Sequence, residues 1–276
     1  NDHYDVNITI TPVPAKFGEN TTISVEIPEG MDNVTVIIDG KEIVVPVNST
    51  TGKGELVIGN LTAGDHTIEV VTPGNDNFTS VTNTTTLTVE KAVSEMNITL
   101  SEVKPGENVT VTVNVGPNAT GPVVITVNGQ QHSVTVDKNG TATYVIPNAQ
   151  PGDLNITAEF WGDNNYEHVK QSKNTTVPKY PSSMEVLKPE ITDDNNVTVV
   201  VKVSPANATG NVTVTVDGKN YTADVVDGVA KVNIGIVEPN TTPVMNITYS
   251  GDKNYNSTEL TSVDSVKVDK LNNFTA

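Results

Sequence analysis

A chain of 276 residues with a formal net charge of −17, a pI near 4.4 and 16 basic residues, all lysine, is a poor partner for phosphate. Nucleic acid and anionic lipid surfaces are bound through clustered Lys and Arg, with Arg making the bidentate contacts, so neither is expected as a partner. The absence of cysteine excludes thiol catalysis, Cys-ligated zinc and a disulfide across a sandwich. No apolar run approaches the ~18 residues of a membrane helix.

In chain order, the same punctuation returns three times. Residues 18–23 (GENTTI), 106–111 (GENVTV) and 195–200 (NNVTVV) open equivalent alternating segments. Residues 32–41 (DNVTVIIDGK), 121–130 (GPVVITVNGQ) and 210–219 (GNVTVTVDGK) each carry an alternating strand into an Asp-Gly or Asn-Gly turn. Residues 74–78 (GNDNF), 162–166 (GDNNY) and 251–255 (GDKNY) form a third matching loop, giving a period of 88–90 residues. That period is the size of one immunoglobulin-like domain.

Within a repeat the apolar residues alternate, the signature of strands with one buried face. Val109, Val111, Val113 and Val115 point one way, and Asn108, Thr110, Thr112 and Asn114 the other. Val123, Ile125 and Val127 match Val34, Val36 and Ile38, and Val212, Val214 and Val216. In the middle repeat, strands are expected at 96–101, 107–115, 122–128, 131–136, 140–146, 154–161 and 168–178. Seven short strands with a turn signal every 8–12 residues read as a Greek-key sandwich. Asp39-Gly40, Asn128-Gly129 and Asp217-Gly218 supply the positive φ angles that a tight hairpin needs.

The expected architecture is all-β: three tandem sandwiches at 1–91, 92–180 and 181–276, with 271–276 as the start of a further repeat. The links Val89-Glu90-Lys91-Ala92 and Val177-Pro178-Lys179-Tyr180-Pro181 are short, and prolines stiffen the second. Stiff links predict a monomeric, extended rod on the order of 120 Å long.

The runs Gly210–Lys219 with Ile247–Tyr255, and Gly121–Gln130 with Ala158–Tyr166, resemble the bacterial Ig-like domain of group 3. The first repeat departs from this pattern, carrying Val71-Thr72-Pro73 where the third has Tyr249-Ser250. The Asn- and Thr-heavy, Arg-free, Cys-free style is similar to the large adhesin-like surface proteins of methanogenic archaea. The resemblance implies an exported, extracellular and wall-associated array of Ig-like domains at the cell surface, and it implies no ligand. Three similar domains with stiff links read as a stalk that supports attachment; the alternative is that the domains themselves bind a glycan or protein on another cell surface, through Trp161 or the loops at a sandwich end. The sequence has no G-x-S-x-G, Walker loop or G-x-G-x-x-G, and no Asp or Glu in an apolar context, so neither enzymatic activity nor a cofactor is expected.

Candidate sites are few. The sequon N-x-[S/T] occurs 21 times, where roughly six are expected by chance. An Asn/Thr strand generates sequons automatically, so the informative ones are those in turns: Asn48, Asn118, Asn139, Asn207, Asn240 and Asn256. Trp161, the single tryptophan, follows the inward-facing Leu154, Ile156, Ala158 and Phe160. It should therefore face outward or into a domain end, where it would stack on a ligand or pack under a neighbouring loop.

Asp163-Asn164-Asn165-Tyr166 and its counterparts lack the several carboxylates of a calcium loop. There Asp and Asn are expected to cap the turn while Phe78, Tyr166 or Tyr255 plugs the core, and Asp193-Asp194-Asn195 reads as a solvated turn. His3, His66, His132 and His168 stand apart in sequence. Asn1-Asp2-His3 would chelate Cu²⁺ or Ni²⁺ only at a free amino terminus. Lys16, Lys104 and Lys188 occupy similar places before the second strand, where a Lys–Asn cross-link would need a buried lysine.

Overall fold

The structure, a computed structural model, describes residues 7–269; residues 271–276 and the Asn1-Asp2-His3 motif lie outside the described residues. All regular structure among the described residues is strand. The first repeat supplies β1 (Thr9–Pro12), β2 (Ala15–Lys16), β3 (Thr21–Glu26), β4 (Asn33–Ile38), β5 (Lys41–Pro46), β6 (Lys53–Ile58), β7 (Gly64–Val71) and β8 (Thr82–Glu90). The second supplies β9 (Asn97–Leu100), β10 (Val109–Asn114), β11 (Pro122–Val127), β12 (Gln130–Thr135), β13 (Thr141–Ile146), β14 (Gly152–Phe160) and β15 (Val169–Val177). The third supplies β16 (Ser183–Val186), β17 (Glu190–Ile191), β18 (Asn196–Ser204), β19 (Asn211–Val216), β20 (Lys219–Asp224), β21 (Val229–Ile236), β22 (Met245–Tyr249) and β23 (Thr258–Val263).

Each repeat builds two sheets. In the first these are β1-β3-β6 and β2-β8-β7-β4-β5, with β2 running parallel to β8 through Ala15↔Val89. In the second they are β13-β10-β9 and β12-β11-β14-β15. In the third they are β16-β18-β17, with β21 also paired to β18, and β20-β19-β22-β23. The seven strands expected of the middle repeat are present, each end within two residues of its predicted place.

The pleat explains the burial. Val109, Val111 and Val113 on β10 are fully buried while the intervening threonines are half-exposed. In the first repeat Ile23, Val25, Val34, Val36, Ile68, Val70 and Leu87 close one apolar core. In the third, Val199, Val201, Val212, Val214, Val232, Ile247 and Tyr249 close another. Each such Val or Ile contributes on the order of 1.5–3 kcal/mol relative to exposure, which is how a chain without disulfides holds its sandwiches. The hairpin turns carry the mirror-image geometry their sequence demands, with φ of 51° and 76° at Asp39-Gly40, 46° and 85° at Asn128-Gly129, and 49° and 74° at Asp217-Gly218.

By compactness the described chain falls into two units, and the division runs through the second repeat. One unit holds residues up to Thr99 together with Thr112–Tyr144 and Ile156–Lys173; the other holds Leu100–Val111, Val145–Asn155 and the chain from Asn174 on. In the first unit, Ala92 is drawn into the loop after β14: its N–H donates to the Asn165 carbonyl (2.8 Å), and the Glu167 N–H donates back to Ala92 (3.0 Å). In the second, Tyr180 repeats this arrangement, donating to Asn254 (2.8 Å) and accepting from Asn256 (2.9 Å).

Candidate functional site

The loop GNDNF, GDNNY, GDKNY is a local machine that its residue types dictate. The first polar side chain reaches over its own turn. Asp163 Oδ1 accepts from the N–H groups of Asn165 (2.8 Å) and Tyr166 (2.7 Å), and Asp252 Oδ1 accepts from Asn254 (2.8 Å) and Tyr255 (2.7 Å). In the first repeat Asn75 does the same with Asn77 and Phe78, both at 2.8 Å. The second carboxylate oxygen of each Asp ties down the loop before the hairpin strand. Asp163 takes the Thr120 N–H (2.9 Å), and Asp252 the Thr209 N–H (2.8 Å).

Burial pushes both carboxyls up, but the backbone donors outweigh it and hold Asp163 and Asp252 below the ordinary carboxylate range. Every oxygen of these carboxylates thus has a donor on it, so the loop is a turn cap. The ring that follows closes the sandwich end. Tyr166 is buried, donates its hydroxyl to the Pro117 carbonyl (2.7 Å), and meets the Phe17 ring edge-on with centroids 5.4 Å apart.

Tyr166 and Asn165 therefore belong to a joint between the first and second repeats. Asn165 Oδ1 accepts from the Ala63 N–H at 3.0 Å, across 102 residues of sequence. Beside it lies an open cleft of about 550 Å³ lined by Thr62, Ala63, Gly64, Val89, Lys91, Asn164 and Asn165.

Trp161 leaves the strand that buries Leu154, Ile156, Ala158 and Phe160, and is 66 % exposed. Its indole stacks on the His168 imidazole, centroids 4.9 Å apart and 26° from parallel. Glu159 Oε2 fixes that imidazole through Nε2 at 2.7 Å. The sequence singled out Trp161 alone. Glu159 on β14 and His168, just before β15, complete the group; they stand nine residues apart, too far to associate by local pattern.

The sequon asparagines Asn48, Asn118, Asn139, Asn207, Asn240 and Asn256 are all exposed. Asn118 and Asn240 hold left-handed backbone, with φ of 61° and 58°. Asn48 folds its side-chain oxygen onto the Thr50 N–H at 2.8 Å. Asn207 accepts the Tyr255 hydroxyl at 3.0 Å.

Lys16 and Lys188 are exposed, and Lys104 is 51 % exposed beside Glu102, so the buried lysine of a Lys–Asn cross-link is provided at none of the three positions. Asp193-Asp194-Asn195 is a solvated turn only in part. Asn195, at φ 61°, is buried and its side-chain N–H has no acceptor, while the neighbouring Thr192 hydroxyl donates to Asp194.

His132 stacks on Tyr144 with centroids 3.9 Å apart. His66 is the histidine the sequence undersold: it is buried, with Asp39 carboxylate oxygens at 2.9 and 3.0 Å from Nδ1 and the Thr62 carbonyl at 2.6 Å from Nε2. Among the described residues no three His, Cys, Asp or Glu side chains gather as a metal site.

The second repeat, residues 96–178, matches the bacterial Ig-like domain (group 3). No curated protein is significantly similar to the sequence. Among solved structures, similarity extends to a 1.5-MDa bacterial ice-binding adhesin, with 16 % identity over 97 % of this chain and 100 % of that one and a TM-score of 0.32. The titin I9–I11 tandem shows 15 % identity over 96 % of this chain and 99 % of that one, at a TM-score of 0.33. An ICAM-5 D1–D4 ectodomain fragment shows 16 % identity over 95 % and 76 %, at 0.37. Superpositions at this level define no shared arrangement of domains; the all-β sandwich fold rests on the sheets of the chain itself.

Proposed function

We propose that this chain is a structural stalk, or spacer, of an extracellular adhesin-like surface protein, made of Ig-like domains at 1–91, 92–180 and 181–276 in a monomeric rod. The observation that carries it is the repetition of one device: Ala92 and Tyr180 are each clamped onto the capped loop of the repeat they enter. Phe17, Tyr166 and the Ala63–Asn165 hydrogen bond add a joint between the first two repeats. A linker pinned to the repeat it enters, with an aromatic contact and a hydrogen bond across the first joint, resists bending, which is what a spacer requires. Small-angle scattering tests it: a rod of ~120 Å has a radius of gyration near ~35 Å, against ~19 Å for a compact globule of this length. A value near the lower figure removes the stalk.

A second reading is favoured by the 66 % exposure of Trp161. Its indole, backed by His168, presents a flat apolar face beside polar groups, the surface on which a sugar ring or a partner side chain stacks. Here the middle repeat binds a glycan or protein on another cell surface. A glycan-array and whole-cell binding screen of the chain against Trp161→Ala decides it; binding that survives the substitution removes Trp161 as the contact. The exposed turn asparagines Asn48, Asn118, Asn139, Asn207, Asn240 and Asn256 are proposed as glycosylation sites, read by intact mass of protein from its native host.

A further inference from the structure

The geometry points to a proton-controlled joint: the protonated ring of His66 holds the first repeat against the second through the single peptide group Thr62–Ala63. The carbonyl of that peptide lies 2.6 Å from His66 Nε2, and its N–H donates to Asn165 Oδ1 at 3.0 Å. The other ring nitrogen faces both carboxylate oxygens of Asp39, at 2.9 and 3.0 Å. One chain of hydrogen bonds therefore runs from Asp39 through the imidazole and the peptide plane into the second repeat.

Both ring nitrogens face acceptors only, so the ring satisfies its surroundings by donating twice, which requires the imidazolium. A peptide whose carbonyl accepts from a cation is a better donor at its N–H, because polarisation along such a chain is cooperative. When the ring loses a proton it keeps one N–H. The charge-assisted bond to Asp39 is the stronger and retains it. Nε2 then turns a lone pair toward the lone pairs of the Thr62 carbonyl, and the peptide plane must withdraw, taking the Ala63 N–H from Asn165.

The charged groups that act on the ring are Asp39, from the turn between β4 and β5, and Asp65 on its own strand. From β8, Leu87 pairs with His66 and is flanked by Thr86 and Thr88, none of them charged. The segment 59–63, the buried residues of β3 (Thr21, Ile23, Val25) and the inward residues of β6 (Gly54, Leu56, Ile58) also carry no charge. Burial alone lowers the affinity of the ring for its proton; the Thr62 carbonyl and Asp39 outweigh it and raise the pKa above the ordinary value. A raised folded value places the full stabilisation below the unfolded pKa of His66, with loss as pH rises through the folded one. The joint is tight in acid and loosens toward alkaline pH. The device is confined to the first joint, since the positions of Ala63 and His66 are taken in the second repeat by Pro151, which has no N–H, and Leu154.

NMR on the full chain tests this, following the His66 ring and the Ala63 amide from pH 5 to 9 in the native protein and in Asn165→Ala. The Ala63 amide should titrate with the midpoint of the His66 ring, and its hydrogen-exchange protection should fall several-fold as the ring deprotonates. By reciprocity, Asn165→Ala should lower the His66 midpoint. A ring that is already neutral at pH 5, an Ala63 amide flat across the titration, or a His66 midpoint unmoved by Asn165→Ala each overturns the proposal. Asn165 contributes its backbone carbonyl to Ala92 regardless of side chain, so the variant keeps that anchor.

Discussion

Replacing Asp163 separates the two tasks of its carboxylate. Asp163→Ala removes the acceptor for the N–H groups of Asn165, Tyr166 and Thr120 at 2.8, 2.7 and 2.9 Å. Hydrogen bonds to a charged group contribute about 1.5–3 kcal/mol each when shielded. This loop is half-exposed, so water re-satisfies part of what is freed, and a total of about 2–3 kcal/mol remains after that discount. Asp163→Asn should be milder. Asn75 performs the inner cap in the first repeat with an amide oxygen, at 2.8 Å to Asn77 and to Phe78. An asparagine at 163 keeps those two bonds but points its NH₂ at the Thr120 N–H, donor against donor, at a cost of about 1 kcal/mol.

Urea denaturation followed by the fluorescence of Trp161, two residues away and the single tryptophan, reads the second repeat alone. The pH dependence supplies the sign. The folded pKa of Asp163 is held below its ordinary value, so its stabilisation is whole above the unfolded pKa and lost as pH falls through the folded one. The gap between native protein and Asp163→Asn should be full at pH 7 and close in strong acid. An Asn variant as unstable as the Ala variant, or a gap that persists unchanged at pH 2, refutes the division of labour.

Gly140 stands at φ +76°, and a Cβ there would lie 1.8 Å from the Gly116 carbonyl oxygen; Gly140→Ala should destabilise by about 3 kcal/mol or prevent folding. Gly129 has φ +85° with open space around it, so Gly129→Ala should lose only about 1–2 kcal/mol, and equal losses by chemical denaturation would contradict the steric account. Tyr166→Phe removes the hydroxyl bond to Pro117 and leaves the ring against Phe17, for a loss of about 1 kcal/mol in the same urea titration. Asn195→Gly deletes a buried donor with no acceptor at a left-handed position, and thermal denaturation should show an unchanged or raised midpoint.

The sheets were legible because their determinants are local and periodic. Val109, Val111 and Val113 announce a buried face by spacing alone, and Asp217-Gly218 announces its turn through the φ that few other residues tolerate. The capped loop was legible for the same reason, since the donors of Asp163 and its counterparts lie two and three residues on. What escaped was every partnership set by topology: Asp39 with His66, 27 residues apart, and Ala63 with Asn165, 102 apart. Lys16, Lys104 and Lys188 occupy similar places before the second strand and are all exposed, because a place in the repeat does not fix the burial of a side chain.

Position along a repeat and chemistry at a joint also follow different rules. The three repeats keep the residues that close each sandwich, since an altered core residue damages the domain that carries it. A joint residue is tested only against its neighbour, and there the repeats diverge: Ala63 and His66 in the first give way to Pro151 and Leu154 in the second. Leu154 is buried, as His66 is, so the sandwich accepts either an apolar side chain or a fully bonded imidazole at that place. Only the imidazole brings a proton whose binding reaches the Ala63 N–H, and Pro151 would have no N–H to offer in return. Equivalent domains can therefore share one fold and one hairpin grammar while their joints respond differently to the same change in pH.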